Sequence, residues 1–228
     1  PDRLEQVAAT VPGPATERRA ARAARRRCHI VYNLIERDGG ALFNTSVLLD
    51  RAGHIIGRYR KVHLAIFESW AGITAGDAVP VFDRCFGRIG MAICRDNQFP
   101  ETFASLARQG AEVVALSTAA NFWPQRITVR AIDNAMVIVE ANSNGLESCI
   151  VAADGTTLDV VQRDESPRFA AATVDLGVLP RIPSIHASDD FRSRLAHERR
   201  PGADAPLFAP SPALNKEPRH DPRAASDT

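Results

Sequence analysis

The chain has 228 residues, 45% hydrophobic and 24% charged, with 28 Lys and Arg against 27 Asp and Glu. A single core of that size buries roughly 70% of the surface its unfolded chain exposes, so one domain needs neither disulfides nor metals to be stable. The balanced charge leaves no positive excess to hold phosphate backbones or anionic lipid, which points away from nucleic acid and membrane and towards a small-molecule or protein partner.

Pro1 opens the chain without a Met or an apolar leader, so the expectation is that a natural N-terminus lies upstream. Four cysteines, Cys28, Cys85, Cys94 and Cys149, lie far apart with no C-x-x-C pair. That spacing disfavours a zinc site or a redox dithiol, and it fits a reducing, cytoplasmic compartment. Each Cys is by default a small buried hydrophobe.

The first predicted element is a helix from Ala15 to Arg27, with Thr16 as a candidate N-cap after V-P-G-P. Its arginines, Arg18, Arg19, Arg22, Arg25, Arg26 and Arg27, read as a solvated face. Three runs rich in β-branched and aromatic residues follow, from His29, Phe43 and His54. Asp38-Gly39-Gly40 and Asp50-Arg51-Ala52-Gly53 separate them as turns, giving an antiparallel meander. Beyond an irregular stretch from Val62 to Val79, the pattern becomes strand (Gly90 to Cys94), helix (Pro100 to Gln109) and strand (Glu112 to Thr118). Pro100 suits a first helical turn, Phe103, Leu106 and Ala107 form an inward stripe, and Gly110 suits the position after the helix. A helix around Gln125 to Asn134, a strand from Met136 to Asn142, a hairpin at Ala153 to Thr156 and a strand from Phe169 to Asp175 complete the pattern.

Alternating helices and strands with inserted hairpins imply a layered α/β domain with mixed sheets. It is expected to span residues 1–200. Six of the fifteen prolines fall from Pro201 onward, so 201–228 is expected to be a Pro-rich, disordered tail.

Cys94 ends an apolar strand and precedes R-D-N-Q-F-P-E and a helix. Such a junction sets a side chain at the rim of a sheet beside free backbone N–H groups, so a nucleophile and an oxyanion site can be built together. A catalytic thiol also needs a nearby cation and a base. Lys61, at the end of H-I-I-G-R-Y-R, is the candidate cation; the alternative is that it belongs to an exposed basic run with Arg58 and Arg60.

Several segments, in order, carry a resemblance: Y-R-K-V-H-L (Tyr59 to Leu64), Phe67-Glu68, A-G-D (Ala75 to Asp77), G-R-I-G-M-A-I-C-R-D-N-Q-F-P-E (Gly87 to Glu101), G-A-E-V-V (Gly110 to Val114), R-A-I-D-N-A (Arg130 to Ala135) and A-N-S-N-G (Ala141 to Gly145). Together they resemble the nitrilase, or carbon-nitrogen hydrolase, superfamily over Val11 to Asp175. The resemblance implies a four-layer αββα sandwich, no cofactor, a small-molecule amide, carbamoyl or nitrile substrate, and a homodimer or higher homo-oligomer. It makes Cys94 the nucleophile, Lys61 the oxyanion-stabilising cation and Glu68 an additional structural and catalytic glutamate. The Arg95 N–H completes the oxyanion site, and Asn121, Phe122 and Trp123 fall where the family lines its pocket. His63, inside the K-V-H-L segment, is read as structural rather than as a partner of the thiol.

The sequence departs from the family pattern in three places. The family's general base is a Glu in a Pro-Glu motif upstream of the segment that Gly13-Pro14-Ala15-Thr16 resembles, and none of the residues before Gly13 forms that motif. The expectation is therefore a chain lacking its N-terminal strand-helix-strand portion, with a sheet edge left open. The connection from Asn144-Gly145 to Cys149 is short, and Asp133 stands where the family has Glu. The residues C-R-D-x-x-F-P-E favour an amidase or carbamoylase acting through a cysteine thioester. The alternatives are a non-catalytic nitrilase-like fragment and the ammonia-supplying glutaminase part of a larger synthetase.

Overall fold

The computed structural model describes residues 2–119, 124–143, 147–161 and 169–176, and every element in it belongs to the unit Pro1–Ala196. The expected tail, 201–228, lies outside the described residues. After a short helix α1 (Asp2–Val7), helix α2 runs over Pro14–Arg26. Thr16 is not its N-cap: Gly13 holds that position and Pro14 starts the helix, because the fixed φ of proline suits the first helical residue. Thr16 thus falls one turn in, buried, where its hydroxyl accepts from Tyr32 Oη at 2.8 Å. Arg18, Arg22, Arg25, Arg26 and Arg27 are exposed, as a solvated face requires, whereas Arg19 lies over the Tyr32 ring at 4.6 Å.

Strands β1 (Ile30–Asp38), β2 (Ala41–Leu49) and β3 (Ile55–Arg60) form the expected antiparallel meander. Gly39 and Gly40, at φ 55 and 84°, turn the first hairpin in the left-handed conformation that a two-residue connection favours. Helix α3 (Ile66–Trp70) interrupts the stretch expected to be irregular.

The second sheet has six strands in sequential order: β4 (Val81–Arg84), β5 (Gly87–Ile93), β6 (Val113–Thr118), β7 (Val137–Asn142), β8 (Ser148–Val151) and β9 (Thr157–Val161). Strands β5, β6 and β7 are parallel, with antiparallel hairpins on either side. A 3-10 turn (Cys94–Gln98) and helix α4 (Pro100–Arg108) connect β5 to β6, and α5 (Pro124–Asn134) precedes β7. Helix α4 ends as expected: Gly110 at φ 79° lets the Gly110 and Ala111 N–H groups reach the Ala107 and Leu106 carbonyls.

Strand alternation assigns the layers. Tyr32, Val47 and Leu49 pack on Ala23 of α2, while Leu48 and Tyr59, on the opposite face, meet Ile89, Met91 and Ile93 of β5. The other face of the second sheet, including Val114, Leu116 and Ile138, packs on Phe103 and Leu106 of α4 and on Ile127 and Ala131 of α5. The order is helix, sheet, sheet, helix, which is the αββα sandwich that the resemblance implies. One expected strand is absent: Phe169–Asp175 is not a strand. Its three consecutive alanines have little to bury, and the Ala171 N–H is taken by the Asp159 carboxylate at 2.7 Å instead of by a strand neighbour.

Candidate active site

The parity of β3 decides the fate of its basic run. Arg58 and Arg60 share one face and both ion-pair with Glu36 of β1, at 2.8 and 3.0 Å. Tyr59 and Lys61 take the opposite face, between the sheets, because residues two apart along a strand point the same way. Lys61 is 1% exposed; it is not part of a solvated run. Its backbone is held on both sides, its N–H donating to the Asn44 carbonyl and its carbonyl accepting from Gly76 N, each at 2.8 Å.

A buried ammonium is tolerated only with a close counter-charge. Glu68 supplies it: Lys61 Nζ lies 2.5 Å from Glu68 Oε2. The same oxygen accepts the Ala65 N–H at 2.7 Å, and Oε1 accepts Asn44 Nδ2 at 2.7 Å. Both oxygens of Glu68 are thus occupied by donors, which makes it a rigid counter-ion. Asn44 was not singled out in the sequence; its signal is its place on β2 facing the same side as Lys61.

Cys94 follows the last residue of β5 at φ 46°, a left-handed conformation that a residue with a side chain adopts at a cost. The sharp turn is held by Asp96, which is fully buried. Its carboxylate accepts from Ile93 N at 2.8 Å, Tyr59 Oη at 2.6 Å and His63 N at 3.1 Å. His63 Nδ1 stands 3.1 Å from both Asp96 Oδ1 and Thr102 Oγ1, and its ring stacks on Phe99 with centroids 4.1 Å apart. His63 therefore joins the segment of Lys61 to that of Cys94. Burial, reinforced by the Asp96 charge and hydrogen bond, holds the Tyr59 hydroxyl well above its usual pKa, so it stays a donor.

Cys94, Lys61, Glu68 and Arg95 all line one cavity of about 830 Å³. It opens at the C-terminal ends of the parallel strands, where β5, β6 and β7 leave room between their connections. The Arg95 N–H belongs to the first turn of the 3-10 segment, whose leading N–H groups have no partner within the helix. Asn121, Phe122 and Trp123 lie outside the described residues, as does part of the connection between β7 and β8. A residue that the sequence reading passed over, Glu140 of β7, also lines the cavity. Among the described residues no three His, Cys, Asp or Glu side chains come together as metal ligands, and no helix is long and apolar enough to cross a membrane.

The chain is similar to known nitrilases and amidases. The chain is 34% identical over 136 residues to a bifunctional nitrilase/nitrile hydratase of Nicotiana tabacum, an alignment covering 58% of this chain and 39% of that protein. It is 32% identical over 176 residues to a nitrilase of Pyrococcus abyssi, covering 73% of this chain and 66% of that one. Among solved structures, a mutant of the amidase from Nesterenkonia sp. AN1, carrying the acetamide moiety of fluoroacetamide covalently on its active-site cysteine, superposes with TM-score 0.60 at 26% identity, covering 65% of this chain and 62% of that one. A carbon-nitrogen hydrolase from Helicobacter pylori shares the fold, with TM-score 0.73 at 22% identity over 86% of this chain and 76% of the other. The chain spans about two fifths of the length of the plant relatives it matches. The model of the carbon-nitrogen hydrolase family matches residues 1–183, and the chain belongs to that family.

Proposed function

We propose that this chain hydrolyses a linear amide or N-carbamoyl compound through a thioester on Cys94. The observation that carries the reading is the placement of Cys94, on a strained turn, in one cavity with the buried Lys61–Glu68 pair. The sulfur of Cys94 attacks the carbonyl carbon, forming an S–C bond as the C=O π pair moves to oxygen. Lys61 and the Arg95 N–H stabilise that oxyanion, a contribution typically worth 10²–10³ in rate per donor. When the oxyanion collapses, the C–N bond breaks and the nitrogen leaves as ammonia, carrying the proton lost by the thiol. Water then adds to the acyl-enzyme, the S–C bond breaks, and the free thiol is released with the carboxylic acid, or, from an N-carbamoyl compound, with a carbamic acid that falls apart to amine and carbon dioxide. The covalent adduct on the active-site cysteine of the related amidase supports the thiol as nucleophile.

A second reading, a fold-retaining member without turnover, is favoured by one observation. Glu68 has both oxygens engaged by donors and so is poorly placed to carry the thiol proton, and loss of a positioned base lowers rates by ~10²–10⁴. Mass spectrometry of the protein after incubation with a panel of short amides separates the two. An acyl mass on Cys94 with ammonia release supports the hydrolase, and neither signal across the panel leaves the non-catalytic reading.

A further inference from the structure

The face of β7 that turns to the helices carries Ile138 and Glu140, and its neighbour on β6 is Leu116. Ile138 and Leu116 belong to the apolar core under α4 and α5. Glu140 interrupts that face with a carboxyl group that is only 6% exposed. Among the described residues its hydrogen-bond partner is the Cys149 thiol of β8, a weak donor, at 3.7 Å from Oε2. A carboxylate so enclosed is costly unless strong donors surround it. Glu68, in the same cavity wall, has three such donors. Glu140 is thus placed like a group whose partner arrives from the cavity.

The strand register sets the distance. Ala92, Leu116 and Glu140 stand level on β5, β6 and β7, and Cys94 comes two residues after Ala92. Two strand spacings, about 10 Å, separate the backbone of β5 from that of β7. Side chains stand off the sheet rather than towards each other, so a spacing of that order between Cys94 and Glu140 suits a chain of a few methylenes.

We propose that Glu140 is the specificity-determining residue of this cavity, its carboxylate receiving an ammonium group at the far end of an amide whose carbonyl sits at Cys94. The preferred substrates are then short ω-amino amides. This rests on Cys94 marking the reactive end of the cavity, as the proposed function has it. Among the described residues, the other charged and titratable groups of the wall are Arg95 beside Cys94, Arg126 on α5, Tyr32 of β1 and the Lys61–Glu68 pair, with Cys149 behind Glu140. Lys61 is neutralised by Glu68, so Arg95 and Arg126 are the cations that oppose the proposal. Were they to set the field at the far end, a neutral amide would bind better than a cationic one. Burial pushes the Glu140 carboxyl up to about 7, so its charge changes across neutral pH.

The test uses two probes of equal shape, γ-aminobutyramide and valeramide, bound to the full chain carrying Cys94→Ala, with affinity read by calorimetry. The aminated probe is expected to bind at least about tenfold more tightly at pH 8, the scale of one charge-assisted contact. That preference is expected to disappear when Glu140→Gln is added. With Glu140 present, affinity for the aminated probe should rise about tenfold from pH 6 to pH 8 as the carboxyl ionises, while that for valeramide stays level; this arm needs no change at Glu140. Equal affinities, a preference for valeramide, or no binding of either overturns the proposal. Ammonia release by the unsubstituted chain is read separately: its absence alongside the binding preference counts against the hydrolase reading and leaves the role of Glu140 standing.

Discussion

Tyr59 Oη donates to Asp96 Oδ2 at 2.6 Å, tying the residue two before Lys61 to the residue two after Cys94. Lys61 and Cys94 lie at the ends of strands from different sheets, and this buried bond, with His63 beside it, ties their two segments together. Tyr59→Phe removes one charge-assisted bond and is expected to cost ~1.5–3 kcal/mol in urea unfolding. Asp96→Ala also strands the Ile93 N–H and is expected to cost more, ~3–5 kcal/mol. A Tyr59→Phe protein with the parent's midpoint and slope would show that the bond contributes nothing.

The Lys61–Glu68 pair should behave as a unit. Lys61→Met leaves an uncompensated buried carboxylate and is expected to destabilise by ~3–5 kcal/mol, whereas Lys61→Met with Glu68→Gln should recover part of that loss. A double-mutant cycle by chemical denaturation reads the coupling directly. Additive losses would show that the two groups do not interact.

At Cys94 the backbone conformation, at φ 46°, predicts an inversion of the usual ranking. Glycine normally destabilises relative to alanine, but here Cys94→Gly should be more stable than Cys94→Ala by about 1 kcal/mol. Both variants should take no acyl label. Thermal melts of the two side by side check the strain, and an alanine variant more stable than the glycine one would refute it.

Gly76 explains why the A-G-D segment carries a glycine. A Cβ there would lie 2.2 Å from the Arg60 carbonyl oxygen, in the segment that holds Lys61. Gly76→Ala is therefore expected to destabilise by ~2–4 kcal/mol and to slow acylation of Cys94. A melt within a degree of the parent would show that the loop can move aside without cost.

The Glu140 carboxyl gives a pH signature of stability. Burial raises it from 4.5 to about 7 in the folded protein, so between those values the folded state binds the proton and the unfolded state does not. Stability from this group is therefore greatest below the unfolded value and falls as pH rises towards 7, by up to about 3 kcal/mol. The difference in unfolding free energy between the parent and Glu140→Gln, followed from pH 4 to pH 8, should track that fall. A pH-independent difference would place the carboxyl at its ordinary value.

Much of the fold was legible because its signals are local. Alternation and turn glycines located β1, β2 and β3 almost residue by residue, and Pro100 with Gly110 bounded α4. The errors occurred where a local signal competed with a tertiary one. Thr16 looks like an N-cap until Pro14 starts the helix earlier, and the run from Phe169 looks like a strand but finds no strand neighbour among the described residues. Cys94, Lys61 and Glu68 were identified through motif order, whereas Asn44, Asp96 and Glu140 carry no distinguishing spacing.

By itself the sequence determined the family and the alternation of elements, and it singled out Cys94 and Lys61 as candidates, because motifs, periodicity and turn residues act over a few positions. Only the tertiary structure decided that Lys61 is buried and paired rather than part of an exposed basic face, that Glu68 is saturated with donors, and that Glu140 lines the same cavity as Cys94. Those facts depend on which face of a strand meets which neighbour. Residues far apart in the chain share one low-dielectric space only after the two sheets have packed.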